Sequence, residues 1–132
     1  MIEKLRELLK NSYSPYSNFA VSAIAVMKDG KEFNGTNVEN ASYGAGICAE
    51  RSAILSAISN GYKKYDFKEL NIMVSSGNIS MPCFQCRQVI SELFDKDVKI
   101  NCYSINGEVE VHSVSELCPY PFSEEDLKWK LE

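Results

Sequence analysis

A single histidine stands among 132 residues, so no two-histidine metal site and no His-rich motif can form. Basic residues are the minority: 14 Lys and Arg stand against 18 Asp and Glu, for a net charge of -4. No basic run occurs, and Lys63 and Lys64 stand alone between tyrosines. Phosphate backbones are bound by clustered Lys and Arg, so this charge balance argues against a nucleic-acid partner. Long apolar runs are missing as well; no stretch approaches the ~18 residues of a membrane span. The opening MIEKLRELLKNS is interrupted by Glu3, Lys4, Arg6 and Glu7, unlike the apolar region of a secretory signal. These absences predict a soluble, cytoplasmic protein with no membrane partner. The length predicts one domain over residues 1–132, since domains mostly hold about 100–150 residues. No internal repeat, low-complexity segment or linker divides the chain.

What the chain does have is cysteine, at five positions. In a reducing compartment such thiols serve as metal ligands, reactive groups or core residues rather than disulfides, and the odd count agrees.

Hydrophobic spacing gives the order of elements. Ile2, Leu5, Leu8 and Leu9 predict an amphipathic helix over 2–11, stopped before Pro15. Phe19–Met27 reads as a buried strand, Asp29-Gly30 as a hairpin turn, and Glu32–Val38 as the return strand. After the turn-rich ENASYGAG, a helix is expected over Ile47–Asn60 with Gly61 as its stop. Leu70–Ser75 is a short strand, 83–94 a helix and Val98–Ile105 a strand. Asn106-Gly107 makes a second hairpin turn into Glu108–Val114. Residues 115–131 are mixed, with a helix start at Ser123–Asp126. Strands alternating with helices, framed by two hairpins, predict a mixed α/β three-layer sandwich.

Three cysteines stand out within this order. Cys83 and Cys86 lie three apart in PCFQC, on one face of the expected helix, and Cys48 opens another helix. Helix N-termini carry partial positive charge, which favours thiolates. Two such ends converging would bring three thiolates together, and zinc is the natural companion of sulfur ligands. Three protein ligands leave a fourth tetrahedral position free, the pattern of a catalytic zinc. Cys102, Cys118 or His112 could close that position instead, although nothing in their spacing pairs them with the other three. Glu50, two residues after Cys48, is placed to move protons for water held by the metal; acids are also favoured in a helix's first turn for electrostatic reasons alone. Zinc with three thiolates bears a net negative charge, and a guanidinium from Arg51 donating to the sulfurs would draw some of it off. Gln88 could support the ligands from the second helix.

Cys48-Ala49-Glu50 followed by Pro82-Cys83-x-x-Cys86 matches the three-cysteine form of the zinc-dependent deaminase signature. With Ser14–Phe19 (SPYSNF), Asn37–Gly44 (NVENASYG), Cys48–Arg51 (CAER) and Cys86–Val89 (CRQV), the chain resembles the short, homotetrameric cytidine deaminases from about Tyr13 to Leu127. The resemblance implies a three-layer α-β-α sandwich with a mixed five-stranded sheet. It implies one zinc per subunit on Cys48, Cys83 and Cys86, with Glu50 as the proton shuttle. Phe19 would line the pyrimidine pocket, and Asn37 and Glu39 would hydrogen-bond the ribose. The Ala49 backbone would read the base edge together with Glu50. Ala41 and Tyr43 would reach the site from a neighbouring subunit, and Phe122 would cover the base from another. The implied reaction is hydrolysis of cytidine or deoxycytidine to the uridine product and ammonia, in pyrimidine salvage. A deaminase for a modified cytosine nucleoside such as blasticidin S shares the zinc motifs, but SPYSNF and NVENASYG favour plain cytidine. A zinc-stabilised binding module without catalysis would not need a free fourth position or Glu50. Several residues depart from the family pattern: Phe84 and Gln85 replace small residues in the zinc loop, Met81 a serine and Cys118 a leucine, and Ala45-Gly46 is unusual. Cys102 and Cys118 read as small buried groups.

Overall fold

The computed structural model describes residues 1–128. Five strands form one sheet: β1 (Val21–Met27), β2 (Glu32–Thr36), β3 (Phe67–Val74), β4 (Lys99–Tyr103) and β5 (Val109–Ser113). Their order is β2-β1-β3-β4-β5. Only β3 and β4 run parallel; every other neighbouring pair is antiparallel. The parallel pair requires a crossover, and helix α3 (Phe84–Leu93) lies between the two strands in the chain.

The alternation of side chains along β1 builds two cores. Ala23, Ala25 and Met27 face helices α2 (Ala49–Ser59) and α3, together with Leu70, Ile72, Ile100 and Cys102. Ile24 and Val26 face the other way, onto Leu5 and Leu9 of α1 (Ile2–Leu9). A strand buried on both faces reads as an unbroken apolar run, as Val21–Met27 does. The result is the expected α-β-α sandwich with a mixed five-stranded sheet, one of whose helical layers is α1.

Several boundaries differ from expectation. β1 begins at Val21 rather than Phe19, because Asn18 takes a left-handed backbone (φ 57°) and turns the chain before the strand. β3 begins three residues early, at Phe67, whose ring stacks on Phe94 with centroids 4.4 Å apart. β5 stops at Ser113. There the Ser113 hydroxyl accepts from the Glu116 amide while the Glu116 carboxylate accepts from the Ser113 amide, a capping box that starts the short helix α4 (Val114–Leu117). Ser123 likewise caps its segment, but the turn that follows is 3-10, over Glu124–Leu127. The end of the mixed stretch, from residue 129, lies outside the described residues.

Gly35 of β2 sets how closely α2 approaches the sheet. A Cβ there would sit 2.4 Å from the Ala49 carbonyl oxygen and 2.5 Å from the Ala53 amide nitrogen. Both obstacles are backbone, so no side-chain rotation relieves the clash. Gly35→Val should therefore cost about 3 kcal/mol, the upper part of the usual overpacking range. That corresponds to a fall of about 10 °C in the melting temperature for a chain this size. Calorimetry giving an unchanged midpoint would contradict the packing.

Candidate active site and metal centre

Two helix starts meet beside the sheet. Cys48 is the N-cap of α2 and Cys83 the N-cap of α3, with Cys86 in the first turn of α3. Neither N-cap side chain accepts from a backbone amide of its own helix, so both sulfurs are free to face outward from the helix ends. The three Sγ atoms lie within 4.8 Å of one another, and Cys48 and Cys83 are 3.9 Å apart. Tetrahedral zinc–sulfur bonds of ~2.3 Å place two sulfurs about 3.8 Å apart, so this pair already has the spacing a shared zinc requires. Cys86 is buried, Cys48 half-buried and Cys83 exposed. The donor set therefore fits one zinc ion with its open side toward solvent.

No fourth donor joins them among the described residues. Cys102 is fully buried in the core, and burial pushes its thiol up to about 12. The Cys118 thiol donates to the Arg87 carbonyl at 3.4 Å. His112 pairs with Glu110 at 2.9 Å and Glu116 at 3.5 Å on β5 and α4.

The charges around the sulfurs are arranged by α2. Cys48 is held well below the usual thiol range, at about 5, chiefly because Cys86 donates to it and then because Arg51 does. Cys86 is driven upward by the same contact and by burial. Arg51 Nη2 donates to Cys48 Sγ at 3.3 Å and to Gln85 Oε1 at 3.2 Å, while its Nε is buried without a partner. Glu50 is 6% exposed, and burial raises its carboxyl to about 7, with the neighbouring Cys48 adding to the shift. A buried carboxyl near neutrality can both accept and return a proton.

Cys48, Cys83, Glu50 and Arg51 floor an open cleft of about 760 Å³. Its wall includes Phe19, Asn37, Glu39, Tyr43 and the Ala49 segment, with Val21, Ile72, Val74 and Met81 as apolar lining. Asn37 does more than line it. Its Oδ1 accepts from the Val21 amide at 2.9 Å and from Ser12, and its Nδ2 donates to the Phe19 carbonyl at 2.7 Å. One amide hydrogen of Asn37 is left for a ligand. Glu39 accepts from the Tyr16 and Ser17 amides at 3.0 and 3.1 Å and from the Ser17 hydroxyl. Those bonds, led by that of the Ser17 hydroxyl, hold its carboxyl below the ordinary range. Both residues thus fix the SPYSNF turn against the cleft as well as facing it.

Ala41 and Phe122, expected to serve a neighbour, stand outside their own chain's cleft, while Tyr43 and Gln88 are placed differently from expectation. Ala41 is exposed and lies outside the cleft wall. Tyr43, expected from a neighbour, stands on the rim of its own chain's cleft, its ring edge-on to Tyr16 at 6.3 Å. Phe122 is 56% exposed and outside the wall. Gln88 does not support the sulfurs: its Nε2 donates to the Phe122 carbonyl at 2.8 Å and so ties down the C-terminal segment. The bulky zinc-loop pair divides. Phe84 points outward under the Arg87 guanidinium, 4.4 Å from its ring centroid, while Gln85 enters the cleft wall. The contact of Gln85 with Arg51 joins residues 34 apart and had no local signal in the sequence.

Comparison with known proteins agrees with this geometry. The family model for the cytidine and deoxycytidylate deaminase zinc-binding region matches residues 1–102. The chain is 38% identical over 127 residues to a cytidine deaminase of Halalkalibacterium halodurans, covering 96% of this chain and 95% of the relative. It is 34% identical over 132 residues to that of Sporosarcina psychrophila, covering 100% and 96%. The crystal structure of cytidine deaminase from Burkholderia pseudomallei superposes with a TM-score of 0.87 at 40% identity, covering 92% of this chain and 95% of that one.

Proposed function

From the premise that this chain belongs to the zinc-binding cytidine and deoxycytidylate deaminase family, we propose that it is a cytidine deaminase. It hydrolyses cytidine and deoxycytidine to uridine and deoxyuridine, releasing ammonia. The observation that carries this reading is Glu50, buried in the first turn of α2 beside three converging sulfurs at the floor of an open cleft.

Zinc, when held by Cys48, Cys83 and Cys86, makes water acidic enough to attack at neutral pH. The protein's own residues do the rest. Glu50 takes a proton from the attacking water and passes it to N3 of the ring, which makes C4 electrophilic. Oxygen bonds to C4, and Glu50 takes the proton of the new C4 hydroxyl and delivers it to the amino group. The C4–N bond then breaks and ammonia leaves. Phe19 and the Ala49 backbone bound the pyrimidine. The spare amide hydrogen of Asn37 and the carboxylate of Glu39 meet the ribose hydroxyls. Holding C4 within reach of the attacking oxygen supplies a large part of the rate. Arg51, donating to Cys48, draws charge from the thiolates.

The cleft also selects for the free nucleoside. Among the described residues Arg51 is the only Lys or Arg in the wall, and it is already engaged by Cys48 and Gln85. A 5′-phosphate would meet the Glu39 carboxylate at the ribose end, with no free cation among the described residues of the wall. Loss of ultraviolet absorbance should follow addition of cytidine to the zinc-loaded protein. Cytidine 5′-monophosphate should react at least about 100-fold less efficiently, the size expected when like charges are brought together. No reaction with cytidine would refute the activity, and equal rates would refute the selection.

The chain works as a single domain in a homotetramer whose subunits complete each other's clefts. Exposed Tyr43 on the cleft rim and exposed Tyr120 and Phe122 support this, since aromatic residues are enriched where subunits meet. Light scattering should give four chains per particle; full activity at monomer mass would defeat it. No helix of the described residues is long and apolar enough to cross a membrane. We place the protein in the cytoplasm, in pyrimidine salvage, where its five free thiols stay reduced.

A further inference from the structure

The two helices that carry the sulfurs touch through one polar side-chain contact beyond the sulfurs themselves. Arg51 sits in the first turn of α2, and Gln85 in the first turn of α3, between Cys83 and Cys86. Arg51 Nη2 carries two hydrogens. One goes to Cys48 Sγ at 3.3 Å and the other to Gln85 Oε1 at 3.2 Å. The Nε hydrogen is buried and has no acceptor. Without Gln85 the guanidinium would be free to turn away from the sulfurs and seek an acceptor for that Nε.

We infer that Gln85 is a positioning residue: its side-chain carbonyl holds the Arg51 guanidinium against Cys48 and straps the two ligand-bearing helix starts together. The chemistry of the amide suits this work. Its oxygen accepts from a cation without carrying a charge. A carboxylate at the same place would accept more strongly, draw the guanidinium off Cys48, and add negative charge beside three thiolates. A thioether of similar length, as in methionine, would fill the same space and accept only weakly. Gln85 is exposed at a helix start, so such changes leave the core intact.

This inference rests on the three cysteines binding zinc, and its test does not need turnover. Gln85→Met should release zinc to a chromogenic chelator about fivefold faster than the unaltered protein, the scale of one hydrogen bond. Gln85→Glu, equal in size and polar, should also release zinc faster. In the active enzyme Gln85→Met should lower kcat about fivefold with KM nearly unchanged, because the amide acts on the sulfurs and not on the ribose. The decisive arm is a double-mutant cycle. In an Arg51→Gln background, Gln85→Met should change zinc release no further, since the partner is gone. Additive effects of the two substitutions would overturn the inference, as would unchanged zinc release in Gln85→Met. A protein that binds zinc with this coupling but leaves cytidine unreacted would overturn the proposed activity and leave the positioning role standing.

Discussion

Glu50→Gln should lower cytidine turnover by roughly 10⁴-fold while leaving one zinc per chain. A single positioned proton-transfer group contributes about 10²–10⁴-fold, and here one carboxyl serves the water, N3 and the leaving amine in turn, which places the loss at the upper end. Glutamine keeps the volume and a hydrogen-bonding oxygen, so the buried site stays filled. It cannot accept and return a proton. The cysteines are untouched, and elemental analysis should find the metal as before. Burial is what suits this carboxyl to the task, holding it near neutrality rather than in the ordinary acid range. If Glu50→Gln turned over cytidine at the unaltered rate, the proton would have to travel by another route. Among the described residues no other carboxylate but Glu39 lines the cleft, and Glu39 is bound to the turn at Tyr16 and Ser17.

Cys86→Ala should abolish both metal content and turnover. Cys86 is the buried member of the sulfur cluster, and the alanine has no donor with which to replace it. Zinc held by two thiolates and water loses the closure that gives such sites their affinity. Metal should fall from about one ion per chain to near none after dialysis, and added zinc should not restore activity. The two apolar cores do not depend on the sulfurs, so the circular dichroism of the helices should change little. A full complement of zinc in Cys86→Ala would remove this residue from the metal centre.

The parts of the fold legible in the sequence are those where one residue's surroundings are its sequence neighbours. The run Val21–Met27, the helix starts at Cys48 and Cys83, and the turns at Asp29-Gly30 and Asn106-Gly107 all belong to this class. So does the sulfur cluster, because each cysteine takes its place from a helix start. The start of β3 was hidden in KKYDFKEL, where charges mask a strand that the Phe67–Phe94 stack holds in place. Helix α4 was legible in principle: Ser113 and Glu116 are spaced as a capping box, but the valines and histidine before them read as strand. What the sequence could not display are the contacts that cross the chain. Ser12 and Phe19 reach Asn37, Ser17 reaches Glu39, and Gln85 reaches Arg51. Asn37 and Glu39 are therefore partly spent on the fold before any ribose arrives. Gln88 belongs to the same class, with an exposed amide that settles on the Phe122 carbonyl instead of the sulfurs.

Gly35 touches no substrate, yet it acts as a depth gauge for the whole site. The atom its missing side chain makes room for is the Ala49 carbonyl, one residue from Glu50 and one from Cys48. Because backbone meets backbone there, the distance between sheet and helix is a fixed dimension that repacking of side chains cannot adjust. The floor of the cleft is thereby set at one height. A bulkier residue on an edge strand would raise that floor, and a pyrimidine ring would stop short of the proton shuttle. Tolerance to substitution should thus be lowest at a position that any list of ligand contacts would leave out.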